Sequence, residues 1–480
     1  MSYRSSYDTV ILGAGLGALV AGTMLARAGN KIMILEEKSH PGGACTLVNR
    51  EGYPFVISPV LLLGLEKDGY CDQLFSELGL SLAMLKRPGG ILKRPSPYLQ
   101  IVTEQYRLDL HVNRQEQLSE YKREWGEAAL AFQQFYQDLD ALDRRVYSFF
   151  YKKNLPGPPM PFRQRLDNLQ QGLQRQWIIR NYSKLNGQKY YSHFNLPSEF
   201  LKIIGWLNLL WGGRDLVQSS ALNLLLHQSL LSREVIRPVG GLVRFCELLA
   251  NICLEYRGEI RYQQGIASIK RESRKNWVIT LANGEDIHAR QLIIHYPWNL
   301  LSPRAYDLLT FFFTVDAQVI PPPMCEQFLL YRPQGDFRGI EKPLFVVLSL
   351  VEEERSYIDK KRLLMVSSFL PQGLPSTEQA LRQFPQAVIQ NLHWLMPFSE
   401  GKIQYLGNDA QDRQHQSKRF GIAVPLFKRL RQIRDPHIQY AYQPFDKSLF
   451  VSPDYANSLA MLTTEVRSAE EIAKQILRHR

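Results

Sequence analysis

The sequence predicts an α/β fold. A mixed sheet with a parallel core is built from segments far apart in the chain, and an α+β domain is inserted between them. Three observations predict it. A strand, a glycine-rich loop, a helix and a second strand follow one another within residues 8–36. Asn283-Gly284 separates alternating strands in the middle of the chain, a strong hairpin signal. The chain closes on a strand, Ser448–Ser452, followed by a helix running to about Leu477. At 480 residues the chain exceeds one compact core, so two intertwined domains are expected.

Each element has its own signal. Asp8–Leu12 reads as a buried strand and Gly13–Gly17 as a tight loop. Leu19–Ala28 has helical spacing, Gly29-Asn30 stops it, and Lys31–Glu36 reads as the second strand. Two strands joined through a helix in this way lie parallel. Loop and helices are expected to about residue 90, and a mostly helical, aromatic-rich region from 91 to 235, broken by the proline-rich Leu155–Phe162. Pro238-Val-Gly-Gly241 then opens an apolar helix, Leu242–Tyr256. Strands follow at Glu259–Tyr262, Ile266–Lys270, Trp277–Leu281 and Gln291–His295, with more at Leu344–Leu350 and Arg362–Phe369 among helices. No internal repeat is visible.

Composition narrows the function classes. Hydrophobic residues at 45% and charged residues at 22% form an ordinary globular balance, so no long stretch is expected to be disordered. The net charge of +12 would suit an anionic partner. Nucleic acid is not expected, because there is no zinc-finger spacing, no RNP aromatic pair and no dense Lys/Arg run. The five cysteines, Cys45, Cys71, Cys246, Cys253 and Cys325, are scattered and lack a CxxC spacing. That argues against a disulfide framework and a structural zinc, and for a reducing, cytoplasmic compartment with the thiols as small buried hydrophobes. No signal peptide and no twenty-residue apolar span is read, so a membrane would be met from its surface. Lys152, Lys153, Met160, Phe162, Arg163, Arg165, Arg175 and Arg180 around Trp177-Ile-Ile179 suit an interfacial segment and equally a solvated basic helix hairpin.

The chemistry lies in the first forty-odd residues. In Gly13-Ala-Gly15-Leu-Gly17-Ala18, Gly13 permits the tight turn and Gly15 lets the backbone approach a pyrophosphate. Ala18 allows close helix–strand packing, and the helix N-terminus offers its amides to phosphate. Glu36, closing the second strand, is placed to bind the ribose hydroxyls of an adenosine. Gly42-Gly43 just beyond is a loop that a nicotinamide site does not require and an FAD site does.

From Asp8 to Gly43, and through PGGACTLVNREGYPF, the sequence resembles the FAD-dependent amine oxidase and phytoene desaturase superfamily. It is most similar there to carotenoid desaturases, carotenoid isomerases and retinol saturases. Arg237-Pro-Val-Gly240-Gly241, the strand with Ile266 and Ile269, the Asn283-Gly284 hairpin, Leu292–Tyr296 and the closing Ser468-Ala469-Glu470 match further landmarks in order. The resemblance implies domain segments at 1–90, 236–300 and 441–480 for FAD and 91–235 and 301–440 for substrate. It implies FAD contacts at Gly13, Gly15, Leu16, Gly17, Ala18, Glu36, Glu37, Lys38, Gly42, Gly43 and Ala44. It adds the backbone of Ile266 at adenine and Asp454 at the ribityl and phosphate. The implied activity is oxidoreduction or isomerisation at carbon–carbon bonds of a hydrophobic polyene or isoprenoid, with peripheral membrane contact to reach it. No catalytic side chain, metal or oligomeric state is implied.

The sequence departs from that pattern at its end. The family's Gly-Asp reads Ser452-Pro-Asp454, its glycine-rich stretch shortens to Ala456–Met461, and its Ser-Gly beside the flavin ring reads Thr464-Glu465. Near the front, "F-D-x-G" reads Phe55-Val56-Ile57-Ser58. A close backbone approach that needs glycine is blocked at Ser452 or Glu465. These departures leave open a non-catalytic isoprenoid- or protein-binding member of the fold, as the Rab GDP-dissociation inhibitors are. An amine oxidase is a weaker alternative, since no aromatic cage is legible. His295, Tyr296 and Trp298 are read as core packing before pocket lining, and so are Trp206 to Trp211.

Overall fold

The computed structural model describes residues 6–43, 45–57, 61–150, 173–174, 176–212, 215–273, 276–297, 306–332, 344–348, 361–371, 378–409, 448–454 and 462–478. Along the chain run β1 (Ser6–Leu12), α1 (Leu16–Arg27), β2 (Ile32–Leu35), β3 (Thr46–Arg50), β4 (Tyr53–Ile57), α2 (Tyr70–Glu77) and α3 (Leu82–Leu85). The middle holds β5 (Leu92–Lys93), β6 (Leu99–Thr103), β7 (Arg107–Leu110), α4 (Arg114–Glu124), α5 (Ala129–Phe150), α6 (Gly187–Tyr191), α7 (Ser198–Gly212) and α8 (Ala221–Leu231). Then come β8 (Arg237–Pro238), α9 (Gly241–Glu255), β9 (Glu259–Arg261), β10 (Ile266–Ser273), β11 (Asn276–Leu281) and β12 (Asp286–Pro297). The remainder is β13 (Tyr306–Asp316), β14 (Gln327–Tyr331), β15 (Leu344–Leu348), β16 (Lys361–Pro371), α10 (Glu378–Leu395), β17 (Ile403–Asn408), β18 (Leu449–Asp454) and α11 (Leu462–Arg478).

The first sheet has the order β10-β11-β12-β1-β2-β9, with β18 also pairing with β12. Strands β18, β12, β1, β2 and β9 are mutually parallel where they pair, and β10–β11–β12 is antiparallel. This is the mixed α/β sheet with a parallel core that the sequence predicts. Both faces of β1 are buried, as a covered parallel sheet demands. Ile11 packs with α1, α9 and α11, while Val10 and Leu12 pack on the opposite face with Met33, Leu35 and Ile294. Gly22 on α1 sits against the sheet: a Cβ there would be 2.8 Å from Ile34 Cδ1.

The second sheet has the order β17-β13-β16-β15-β14-β6-β7. On one face Ile101, Leu329, Phe345 and Val347 join the helical core around Phe132, Phe200, Leu222 and Trp211. On the other, Phe311, Phe313, Phe328 and Val366 pack with Phe384, Val388 and Leu392 of α10. Trp211 is buried in this core and Trp206 packs at its edge against Tyr331, with ring centroids 4.6 Å apart, in line with the core-packing reading. Four of the cysteines, Cys45, Cys71, Cys246 and Cys253, are buried.

Two expectations are corrected. The stretch after residue 90 does not begin as helix: β6 and β7 form a hairpin whose β6 also pairs in parallel with β14, more than two hundred residues away. Leu99-Gln-Ile-Val-Thr103 has strand composition, but its distant partner leaves no local trace. Likewise Thr46–Ile57, within the stretch expected to hold loop and helices, is the β3–β4 hairpin. The proline-rich Leu155–Phe162, Lys152, Lys153, Arg163, Arg165, Arg175, Trp298 and Ala456–Met461 lie outside the described residues. Among the described residues no helix is long and apolar enough to cross a membrane.

Candidate dinucleotide site

The C-terminal ends of β1 and β2 meet the N-terminus of α1, the crevice at which ligands gather in such sheets. Gly13 turns there with φ +95°, a left-handed conformation that favours glycine, and its N–H donates to Leu35 O at 2.8 Å. The next amide, of Ala14, donates to Glu36 Oε2 at 2.7 Å, and Lys38 N–H donates to Glu36 Oε1 at 2.9 Å. Glu36 is buried, and its carboxylate keeps lone pairs for hydroxyl donors beyond these two amides.

The glycine pair after β2 is stitched to the same turn. Gly42 N–H donates to Ala14 O at 2.9 Å and Lys38 Nζ donates to Gly43 O at 2.6 Å. Gly42 has φ +131°, and a Cβ on it would press on Val243 Cγ2 and Cys45 O, each 3.3 Å away. Glu37 is exposed. Gln263 N–H donates to Lys38 O and Gln264 N–H to Glu36 O, which brings the start of β10 and Ile266 to this loop. Asp454 ends β18 opposite Pro297 in register; its side chain and Ala44 lie outside the described residues.

The phosphate end is different. α1 begins at Gly15, which has no side-chain cap, and its first turn, which includes Leu16, Gly17 and Ala18, holds no acidic residue. A carboxylate arrives instead from α11: Glu465 Oε1 accepts from Gly17 N–H at 2.7 Å, and Glu465 is 2% exposed. His295, near the end of β12, is also buried, with Nε2 3.7 Å from the same Oε1. Its ring fills the space over Gly15, where a Cβ would come within 2.1 Å of Nε2. Both residues stood outside the site predicted for dinucleotide contact. His295 is therefore not plain core packing, since it faces the glycine loop.

These residues test the fit of FAD. The nucleoside end fits: the Gly13 turn, Glu36 and the Gly42-Gly43 loop are formed and mutually bonded. The pyrophosphate does not fit with Glu465 in place. Carboxylate and phosphate would compete for one amide, and two anions in a dry pocket repel. Among the described residues no group of three or more His, Cys, Asp and Glu side chains is arranged for a metal ion.

The arrangement of the two sheets is a fold shared with proteins as different as a putrescine oxidase and a Rab GDI. A family model described as an NAD(P)-binding Rossmann-like domain matches residues 11–78. Prolycopene isomerase, chloroplastic, of Daucus carota is 23% identical over 375 residues, covering 70% of this chain and 56% of that protein, less than two thirds of its length. Phytoene desaturase of Cercospora nicotianae is 40% identical over 73 residues, 15% of this chain and 11% of that one. Among solved structures, a putrescine oxidase variant superposes with TM-score 0.57 at 12% identity over 99% of both chains. A Rab GDI from Plasmodium falciparum gives TM-score 0.55 at 14% identity, over 99% of this chain and 98% of that one. At such identities the structural likeness is one of fold. In sequence the chain is similar to prolycopene isomerases and, over a short stretch, to phytoene desaturases.

Proposed function

We propose that the chain is an FAD-dependent oxidoreductase acting on single or double carbon–carbon bonds of a hydrophobic polyene or isoprenoid, by desaturation, saturation or isomerisation. The observation that carries this is the preformed nucleoside seat: the Gly13 turn, the Glu36 carboxylate and the Gly42-Gly43 loop are locked together by the bonds from Ala14, Lys38 and Gly42. The relatedness to prolycopene isomerase and phytoene desaturase supports the substrate class. When bound, FAD would supply the electron-accepting or electron-donating group, and Glu36 would orient the ribose. The visible spectrum of the purified protein tests it. Flavin bands near one equivalent, with turnover of a polyene, are expected. A colourless protein that cannot be reconstituted with FAD overturns it.

The substrate class also implies a membrane surface as partner. The basic residues Lys152, Lys153, Arg163 and Arg165 are the proposed contact, and liposome co-sedimentation is expected to weaken when they are neutralised.

One observation favours a second reading, a non-catalytic binder of an isoprenoid or a protein. The Glu465 carboxylate already holds the Gly17 amide on which a pyrophosphate would rest.

A further inference from the structure

We propose that Glu465 is a built-in substitute for a dinucleotide phosphate. The chain seats its own carboxylate on the N-terminus of α1, and a nucleoside diphosphate enters only by displacing it. The inference rests on reading Gly13–Gly43 as an adenosine diphosphate seat.

Three features of the chain point this way. First, α1 depends on an external anion: Gly15 gives it no side-chain cap, and its first turn has no acid. An anion at that end is stabilised by the exposed amides and the helix dipole. Second, the anion that arrives comes from 448 positions away, on a helix packed beside α1. Glu465 also lies in the first turn of α11, so two helix N-termini converge on one carboxylate. A buried carboxylate is costly unless held by donors, so its placement on Gly17 is a specific arrangement. Third, His295 fills the remaining space: its ring lies over Gly15, the glycine whose missing side chain would otherwise leave room for a phosphate. Carboxylate and imidazole together fill the volume and complete the hydrogen bond that a pyrophosphate supplies in a dinucleotide site.

The test is binding of ADP, and separately of FAD, to the full chain and to E465S and E465Q, by calorimetric titration and by thermal shift. Removing the carboxylate frees the seat. E465S is expected to bind ADP at least tenfold more tightly than wild type, and to gain thermal stability from ADP where wild type does not. E465Q keeps the shape without the charge and is expected to fall between them; it also serves if E465S folds poorly. E471Q, six positions further along α11, is expected to bind as wild type does. An E465S and an E465Q that bind ADP no better than wild type overturn the proposal. The FAD arm separates it from the enzyme reading. Tighter ADP with no FAD uptake by any form upholds the substitution and sinks the flavin reading. Tight FAD binding by wild type that E465S does not improve overturns the substitution and leaves the flavin reading standing.

Discussion

The imidazole of His295 stands where a side chain on Gly15 would begin, with Nε2 only 2.1 Å from that Cβ position. Gly15 has φ −74°, so its backbone does not require glycine; the ring does. Gly15→Ala should therefore destabilise the protein even with no nucleotide present. Overpacking a buried site of this kind costs about 1–3 kcal/mol. The double variant with His295→Ala should lose less than the sum of the two single losses, because the added methyl enters the space the ring leaves. Urea unfolding of the four proteins measures this. Additive losses would mean that the ring does not set the need for glycine.

How much of this was legible in the sequence depends on the range of the forces involved. Gly13, Glu36 and the Gly42-Gly43 loop could be read because turn chemistry and short spacing are local. The β11–β12 hairpin was legible for the same reason, through Asn283-Gly284. The β6–β14 pairing was not, since Phe328 and Gln100 become register partners only after the second domain closes. The phosphate end was half legible. Glu465 could be seen to replace a small residue, and so to obstruct, but that its carboxylate would bond Gly17 is a contact across nearly the whole chain. His295 shows how a strong prior misleads: a histidine ending a buried strand is usually packed, and this one is both packed and turned to the loop.

His227 of α8 predicts an acid-sensitive step. It is 3% exposed, and burial pushes its imidazole down to about 4 from the ordinary 6.5. As pH falls below 6.5, the unfolded chain takes up a proton that the folded chain refuses. Stability contributed by the neutral ring is thus complete above 6.5 and is lost as pH falls towards 4, by about 3 kcal/mol in all. His227→Leu should remove that part of the slope. Chemical denaturation at pH 7 and at pH 4.5 provides the comparison. Equal pH dependence in wild type and variant would contradict it.

A second ionic centre sits between the end of α3 and the approach to β8. Glu234 accepts from Lys86 Nζ at 2.6 Å, and Lys86 is itself buried, with a side chain 6% exposed. The other oxygen of Glu234 meets Arg94, whose side chain is largely in solvent. Glu234→Ala leaves the Lys86 ammonium without its carboxylate in a poorly hydrated place. Removing one partner of a buried pair costs about 3–5 kcal/mol. Arg94→Ala, on the exposed side, should cost under about 1 kcal/mol. Thermal melts of the two variants should differ clearly, and similar melting points would show that Lys86 is hydrated in the variant.

Arg237 ties β8 to the second sheet. It lies in β8, just before the Gly240-Gly241 turn that opens α9, and is 3% exposed. Its Nη2 donates to Leu348 O at 2.6 Å in β15, and its Nη1 meets Glu326 Oε2 at 3.0 Å. With the Gln327 amide turned so that its oxygen faces the guanidinium, that oxygen accepts from Nε at 2.9 Å. One planar group thus serves acceptors at three residues, which an ammonium cannot span. Arg237→Met should strand the Leu348 carbonyl and the Gln327 amide, at about 1–3 kcal/mol for each buried group left unpaired. Arg237→Lys should recover only part of the loss. Because the contacts join β8 to the second sheet, the loss should also uncouple the two domains. Unfolding followed by far-ultraviolet dichroism and by tryptophan fluorescence should then give two midpoints in the methionine variant and one in wild type. Coincident midpoints in both would mean that Arg237 stabilises β8 without coupling the domains.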